Sequence, residues 1–97
     1  MESGVIGARA QIATESGEKL IRRLCKHWAH KLEVHYTERE GRVRFEGGSC
    51  RMVAEPGALT VVIEAQDAQR RERLEEVVAS HLERMAGGEP LDIAWIR

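Results

Sequence analysis

Residues 24–31, Leu-Cys-Lys-His-Trp-Ala-His-Lys, gather one thiol, two imidazoles and an indole. Thiolates and imidazoles are the usual ligands of zinc and related metals, and an imidazole beside a thiol or hydroxyl can activate a nucleophile. Whether either chemistry is open depends on where the side chains point. On a regular helix, residues two apart diverge by about 160°, so Cys25 and His27 cannot share a metal ion. His27 and His30, three apart, share a face and can chelate one ion in principle. Arg23 and Lys26 lie beside or between them, and their positive charge opposes a cation. Neither the CxxC nor the HExxH spacing of a dedicated zinc site occurs. The bland alternative is a polar helix face bearing two solvated histidines.

A third imidazole is placed more pointedly. Leu74, Val77, Val78, Leu82 and Met85 form one apolar stripe, and His81 falls within it. Burying an unpaired polar group costs about 1–3 kcal/mol, so His81 requires a hydrogen-bond partner from the backbone or a neighbouring side chain. The sharper reading sets it in a groove between two helices, near His27. Histidines from two helices at one seam make a small polar pocket suited to a ligand or a proton-linked switch. The candidates for ligand or metal contact are therefore His27, His30 and His81.

A nucleophile is harder to assemble. Ser80 precedes His81, but neighbours on a helix diverge by about 100° and cannot pair. Cys25 flanks the apolar stripe of its helix and Cys50 falls on the inward side of a strand. Both read as buried small hydrophobes rather than reactive thiolates. The Glu-Gly-Gly-Ser-Cys run at 46–50 leads into a strand, so it is a hairpin turn and not a phosphate-cradling loop. With no catalytic set and no implied cofactor, the expectation is a non-enzymatic protein.

The elements that must carry these residues follow from hydrophobic periodicity. Residues 4–14 alternate, with Ile6, Ala8, Ala10 and Ile12 on one side, and read as a strand. Thr14 and Ser16 are capping candidates for a helix from Gly17 to Lys31, whose stripe is Leu20, Ile21, Leu24, Trp28 and Leu32. Turn signals at 38–42, 46–49 and 55–58 then punctuate four strands, with Pro56-Gly57 suited to the centre of a type II turn. Their inward sets are Val34 and Tyr36; Val43 and Phe45; Cys50, Met52 and Ala54; and Leu59, Val61, Ile63 and Ala65. Residues 67–90 make the second helix, capped by Asp67 and ended by Gly87-Gly88 before Pro90. Residues 91–97 alternate again and predict a closing strand. The order β-α-β-β-β-β-α-β, with short loops, implies an α+β two-layer sandwich: a largely antiparallel sheet with both helices on one face. Leu24, Cys25, Trp28, Leu74, Val78, Leu82 and Trp95 are its expected structural core.

The totals narrow the function classes. Ninety-seven residues make one domain, 1–97, with enough apolar sequence for one core. The net charge of −1 lacks the basic excess of a general nucleic-acid binder. No run approaches the roughly 20 apolar residues of a membrane span, and the first residues do not resemble a signal peptide. The expectation is a cytoplasmic protein with two free thiols. The outer face of the sheet should carry Glu33, His35, Arg42, Arg44, Glu46, Arg51, Glu55 and Glu64, a pattern typical of a solvated face. Val53, Val62, Ala94 and Ile96 should face the same way. Adjacent, they would form an apolar patch fit for a second subunit, hence a homodimer.

The chain resembles a small bacterial family, domain of unknown function 2218. The resemblance spans essentially the whole chain and rests on two motifs: Leu24, Cys25, His27, Trp28, His30 and Lys31 in the first, and Ser80, His81, Leu82 and Arg84 in the second. Met85 stands where an aromatic is commoner, a departure that touches packing rather than chemistry. The resemblance implies no established activity. It does imply an association with proteins that handle ferric siderophores, which makes such a protein a candidate partner and raises interest in the three histidines.

Overall fold

The computed structural model describes residues 6–97, so the first two residues of the 4–14 segment lie outside the described residues. The order is β1 (Ile6–Ala13), α1 (Gly17–Trp28), β2 (Glu33–Tyr36), β3 (Glu40–Phe45), β4 (Gly48–Glu55), β5 (Ala58–Ala65) and α2 (Ala68–Met85). The strands form one five-stranded sheet in the order β1-β5-β4-β3-β2, antiparallel throughout. Short turns make β2 to β5 a meander, and the crossover through α1 puts β1 beside β5. Gly57, at φ +75°, supplies the backbone conformation that the third position of a type II turn demands.

The period of two in the strands decides which face is covered. Ala8, Ala10 and Ile12 of β1, Val43 of β3, Cys50 and Met52 of β4, and Leu59, Val61, Ile63 and Ala65 of β5 are all buried. Against them pack Leu20, Ile21, Leu24, Cys25 and Trp28 from α1, and Leu74, Val78 and Leu82 from α2. Full burial of each large aliphatic side chain is worth about 1.5–3 kcal/mol, so this layer is the main source of stability. The result is the expected α+β sandwich, with no helix among the described residues over the opposite face of the sheet.

Three sequence expectations need correction. The closing strand is not a strand: residues 91–97 make one isolated bridge, Arg9 to Ile96, through hydrogen bonds of 2.9 and 2.7 Å. The alternation there is real, since Leu91, Ile93 and Trp95 are half-buried against the core while Asp92, Ala94 and Ile96 are exposed. The segment uses its side chains to cover the core and is held by them, so Trp95 lies at the core's margin. Second, α1 ends at Trp28, which leaves His30 in a turn. Third, Tyr36 is 41% exposed. It pairs with Gly41, the site where Cys25 and Ile21 approach the sheet, so α1 closes over β3 and leaves the edge residue in solvent.

Capping also departs from the simplest reading. Asp67 caps α2 as expected, its side chain accepting from the Arg70 N–H at 2.8 Å. Ser16 stands at the N-cap of α1 without a side-chain capping bond to the helix. Thr14 is the active residue: its Oγ1 accepts from the Ser16 N–H at 3.0 Å and donates to Glu89 at 2.7 Å. That contact ties the segment after α2 to the start of α1.

Candidate functional site

The histidines sit where the two helices meet. Trp28, the last residue of α1, is buried by its hydrophobic stripe and stands edge-on to Phe45, with ring centroids 5.1 Å apart at 81°. T-shaped aromatic contacts of this kind fix ring orientation. The His81 ring, on α2, packs 5.2 Å from Trp28 and 5.3 Å from His27. Thus the structure brings His27 and His81 together, with the His81 ring also against the Trp28 indole, and His27 remains exposed while His81 is half-buried. His30 lies beyond the end of the helix and is exposed, so the i, i+3 argument that paired it with His27 does not apply. Among the described residues, no group of three or more His, Cys, Asp or Glu side chains converges to hold a metal ion.

His81 finds the partner its position requires. Its Nδ1 lies 2.7 Å from the carbonyl oxygen of Val77, one turn back. A carbonyl only accepts, so Nδ1 carries the proton and, in the neutral ring, Nε2 keeps a lone pair. The Ser80 hydroxyl donates to the same carbonyl at 3.2 Å. Serine and histidine therefore share an acceptor and do not form a nucleophile–base pair. Beside this seam Arg23 donates to the Met85 carbonyl at 2.8 Å, which satisfies the C-terminal end of α2 and keeps a positive charge at the margin.

The cysteines behave as their positions suggest. Both are free and buried. Burial pushes the Cys25 thiol up to about 11 and the Cys50 thiol up to about 12, the latter with a contribution from Cys25. Neither is a thiolate near neutral pH, which removes them as nucleophiles and as ready metal ligands.

The dimer-patch residues run from the open face to its β1 edge, where Ile96 bridges to Arg9 and lines one depression with Val62. Val53 and Val62 lie on the open face of the sheet, diagonal to each other across β4 and β5. Val62 stands between Arg51 and Arg9, its partners on the two sides. Ala94 and Ile96 belong to the closing segment, with Ile96 72% exposed. The same open face holds a groove of about 430 Å³ over β2 to β5, lined by Arg42, Arg44, Arg51 and Ser49 among others. Sequence alternation assigns these side chains to the outside, but only the strand register shows which of them are neighbours.

Residues 9–96 match a family described as an uncharacterized protein conserved in bacteria, domain of unknown function 2218. No protein of curated function matches the chain. Among solved structures, the NMR structure of PA4090 from Pseudomonas aeruginosa is similar: 37% identity, 93% of this chain and 94% of that chain covered, and a TM-score of 0.79. The family match covers most of the sequence, the structural match carries the same fold, and the chain belongs to the bacterial family of domain of unknown function 2218.

Proposed function

We propose that the protein is a small non-enzymatic binding domain whose ligand contacts lie at the seam of α1 and α2, on His27 and His81. The observation that carries this reading is the 5.3 Å approach of the two imidazoles beside Trp28. The Val77 bond reserves Nε2 of His81 as the ring nitrogen available to a ligand. The Ser80 hydroxyl and His81 share the Val77 carbonyl as acceptor rather than pairing, and this and the raised thiol pKa values argue against nucleophilic catalysis at this place. The association with ferric-siderophore handling implied by the family resemblance makes a siderophore complex, or a protein that carries one, the first occupant to try.

Metal binding by His27, His30 and His81 is the second reading, supported by the proximity of two of its three imidazoles. One titration tests both. Imidazole and amide NMR spectra are followed as Zn(II), Fe(II) and a ferric siderophore are added in turn. Saturable shifts confined to His27 and His81 on adding the siderophore complex support the first reading. Stoichiometric shifts with a free metal that include His30, and that His27→Ala abolishes, support the second. Silence at all three rings refutes both.

A further inference from the structure

The strand register sets one row of side chains across the whole open face: Arg9, Val62, Arg51, Arg42 and His35, each directly opposite the next. Directly opposed residues on one face of a sheet have Cβ atoms about 4.5–5.5 Å apart, and like charges at that spacing destabilise it. Arg42 nonetheless stands between Arg51 and His35. Arg51 is offset by Glu40, at 2.6 Å. Among the described residues Arg42 and Arg44 form no ion pair. Three guanidiniums, Arg42, Arg44 and Arg51, therefore border a groove of about 430 Å³ with the Ser49 hydroxyl beside them, within the roughly 300–1,000 Å³ of small-molecule sites.

We infer that this groove is a binding site for a small oligoanion, a phosphate ester or polycarboxylate seated between Arg42 and Arg51. Guanidinium forks match phosphate and carboxylate oxygens in bidentate geometry, and an anion here gives Arg42 a direct partner while sharing Arg51 with Glu40. The flanking carboxylates limit the ligand's size. Glu33 and Glu64 line the same groove in the neighbouring row, directly opposite Arg44 and Ser49 respectively. A nucleic-acid strand or acidic peptide crossing the face would run over them, whereas a compact anion seated between Arg42 and Arg51 stays one row away and meets Arg44 and Ser49 only at its margin. Among the described residues no Phe, Tyr or Trp lines this groove, where His35 is the one ring, whereas single-strand binders stack bases on such aromatics.

The test uses the whole protein and two probes, inorganic pyrophosphate and citrate, at ionic strength held constant with NaCl. Backbone amides and arginine Nε–H groups are followed by NMR. Saturable shifts at Arg42, Arg44, Ser49, Arg51 and Val62, with His27 and His81 unmoved, are expected. Stronger binding of pyrophosphate assigns the site to phosphate esters, and of citrate to polycarboxylates. Arg42→Gln should weaken binding at least tenfold and, because it removes a like-charge contact, keep or raise the Tm in anion-free buffer. Arg44→Gln provides an independent weakening, and Arg22→Gln, exposed on α1 in the helix layer, should bind as the parent does. Non-saturating shifts, equal binding by Arg42→Gln, or a lower Tm for that variant would overturn the inference. So would sedimentation as a dimer that Val62→Asp dissociates, which would give the face to a second copy.

Discussion

Nδ1 of His81 donates to the carbonyl oxygen of Val77 at 2.7 Å, and this one bond sets the chemistry left to the ring. With Nδ1 committed, the neutral imidazole is the Nδ1–H tautomer. Long-range nitrogen–proton NMR correlations should show that tautomer for the neutral His81 ring. His81→Ala loses the contacts to Trp28 and His27 and should cost about 1–2 kcal/mol by thermal or urea unfolding without any ligand, in line with the worth of ring–ring contacts and partial burial. His81→Ala that melts like the parent would remove the ring from the fold's support.

Glu75 is the buried anchor of the closing segment. Its carboxylate, 8% exposed, takes a two-point contact from Arg97, at 2.7 and 3.0 Å, and stands 3.9 Å from Arg71. Removing one partner of a buried pair leaves a desolvated charge behind. Arg97 is itself about half exposed, but Arg97→Ala leaves the buried Glu75 carboxylate with only Arg71 beside it and should lower the Tm, and adding Glu75→Gln should recover part of that loss. Amide exchange at Arg9 and Ile96, which bridge the segment to β1, should quicken in the single variant.

Gly41 is where α1 touches the sheet. A Cβ there would lie 2.9 Å from Sγ of Cys25 and 3.0 Å from Cγ2 of Ile21. Gly41→Ala overpacks this contact and should cost about 1–3 kcal/mol. Cys25→Ala in the same chain makes room, so the double variant should be more stable than additivity predicts, as read from a double-mutant cycle in urea.

The thiols give an alkaline prediction. Their folded pKa values, about 11 and about 12, lie above the usual 9.0. A group whose folded pKa is raised contributes stability that is complete below pH 9 and is lost as pH rises through 11 to 12. The native protein should resist a disulfide reagent at pH 8 and react rapidly once unfolded.

The acid side runs the other way. Glu89 is held below its usual 4.5, first by the Thr14 hydroxyl; Asp67 below 3.8, first by the Arg70 N–H; and Glu40 below 4.5, first by Arg51. Depressed carboxylates contribute stability above these values that is lost as pH falls through them. The Tm should drop below about pH 4.5, and Glu89→Gln should flatten that slope.

The closing segment shows how far periodicity reaches. Alternation at 91–97 identifies which side chains pack inward, because burial follows side-chain direction alone. It does not distinguish a hydrogen-bonded strand from an extended cover, because that depends on whether β1 presents its edge at the right distance and angle. His30 shows the same limit: its spacing from His27 has meaning only while the helix continues, and the helix stops at Trp28.

By itself the sequence determined the layer architecture, the antiparallel meander, the core and the inward place of His81, since these follow from local periods of 2 and 3.6 and from turn chemistry. The tertiary structure decided what lies beside what. The approach of His27 to His81 depends on how two helices cross a shared sheet, and the alignment of Arg9, Arg51, Arg42 and His35 depends on strand register. Both are long-range choices, made by the sum of core contacts, and both bear on any site this protein offers.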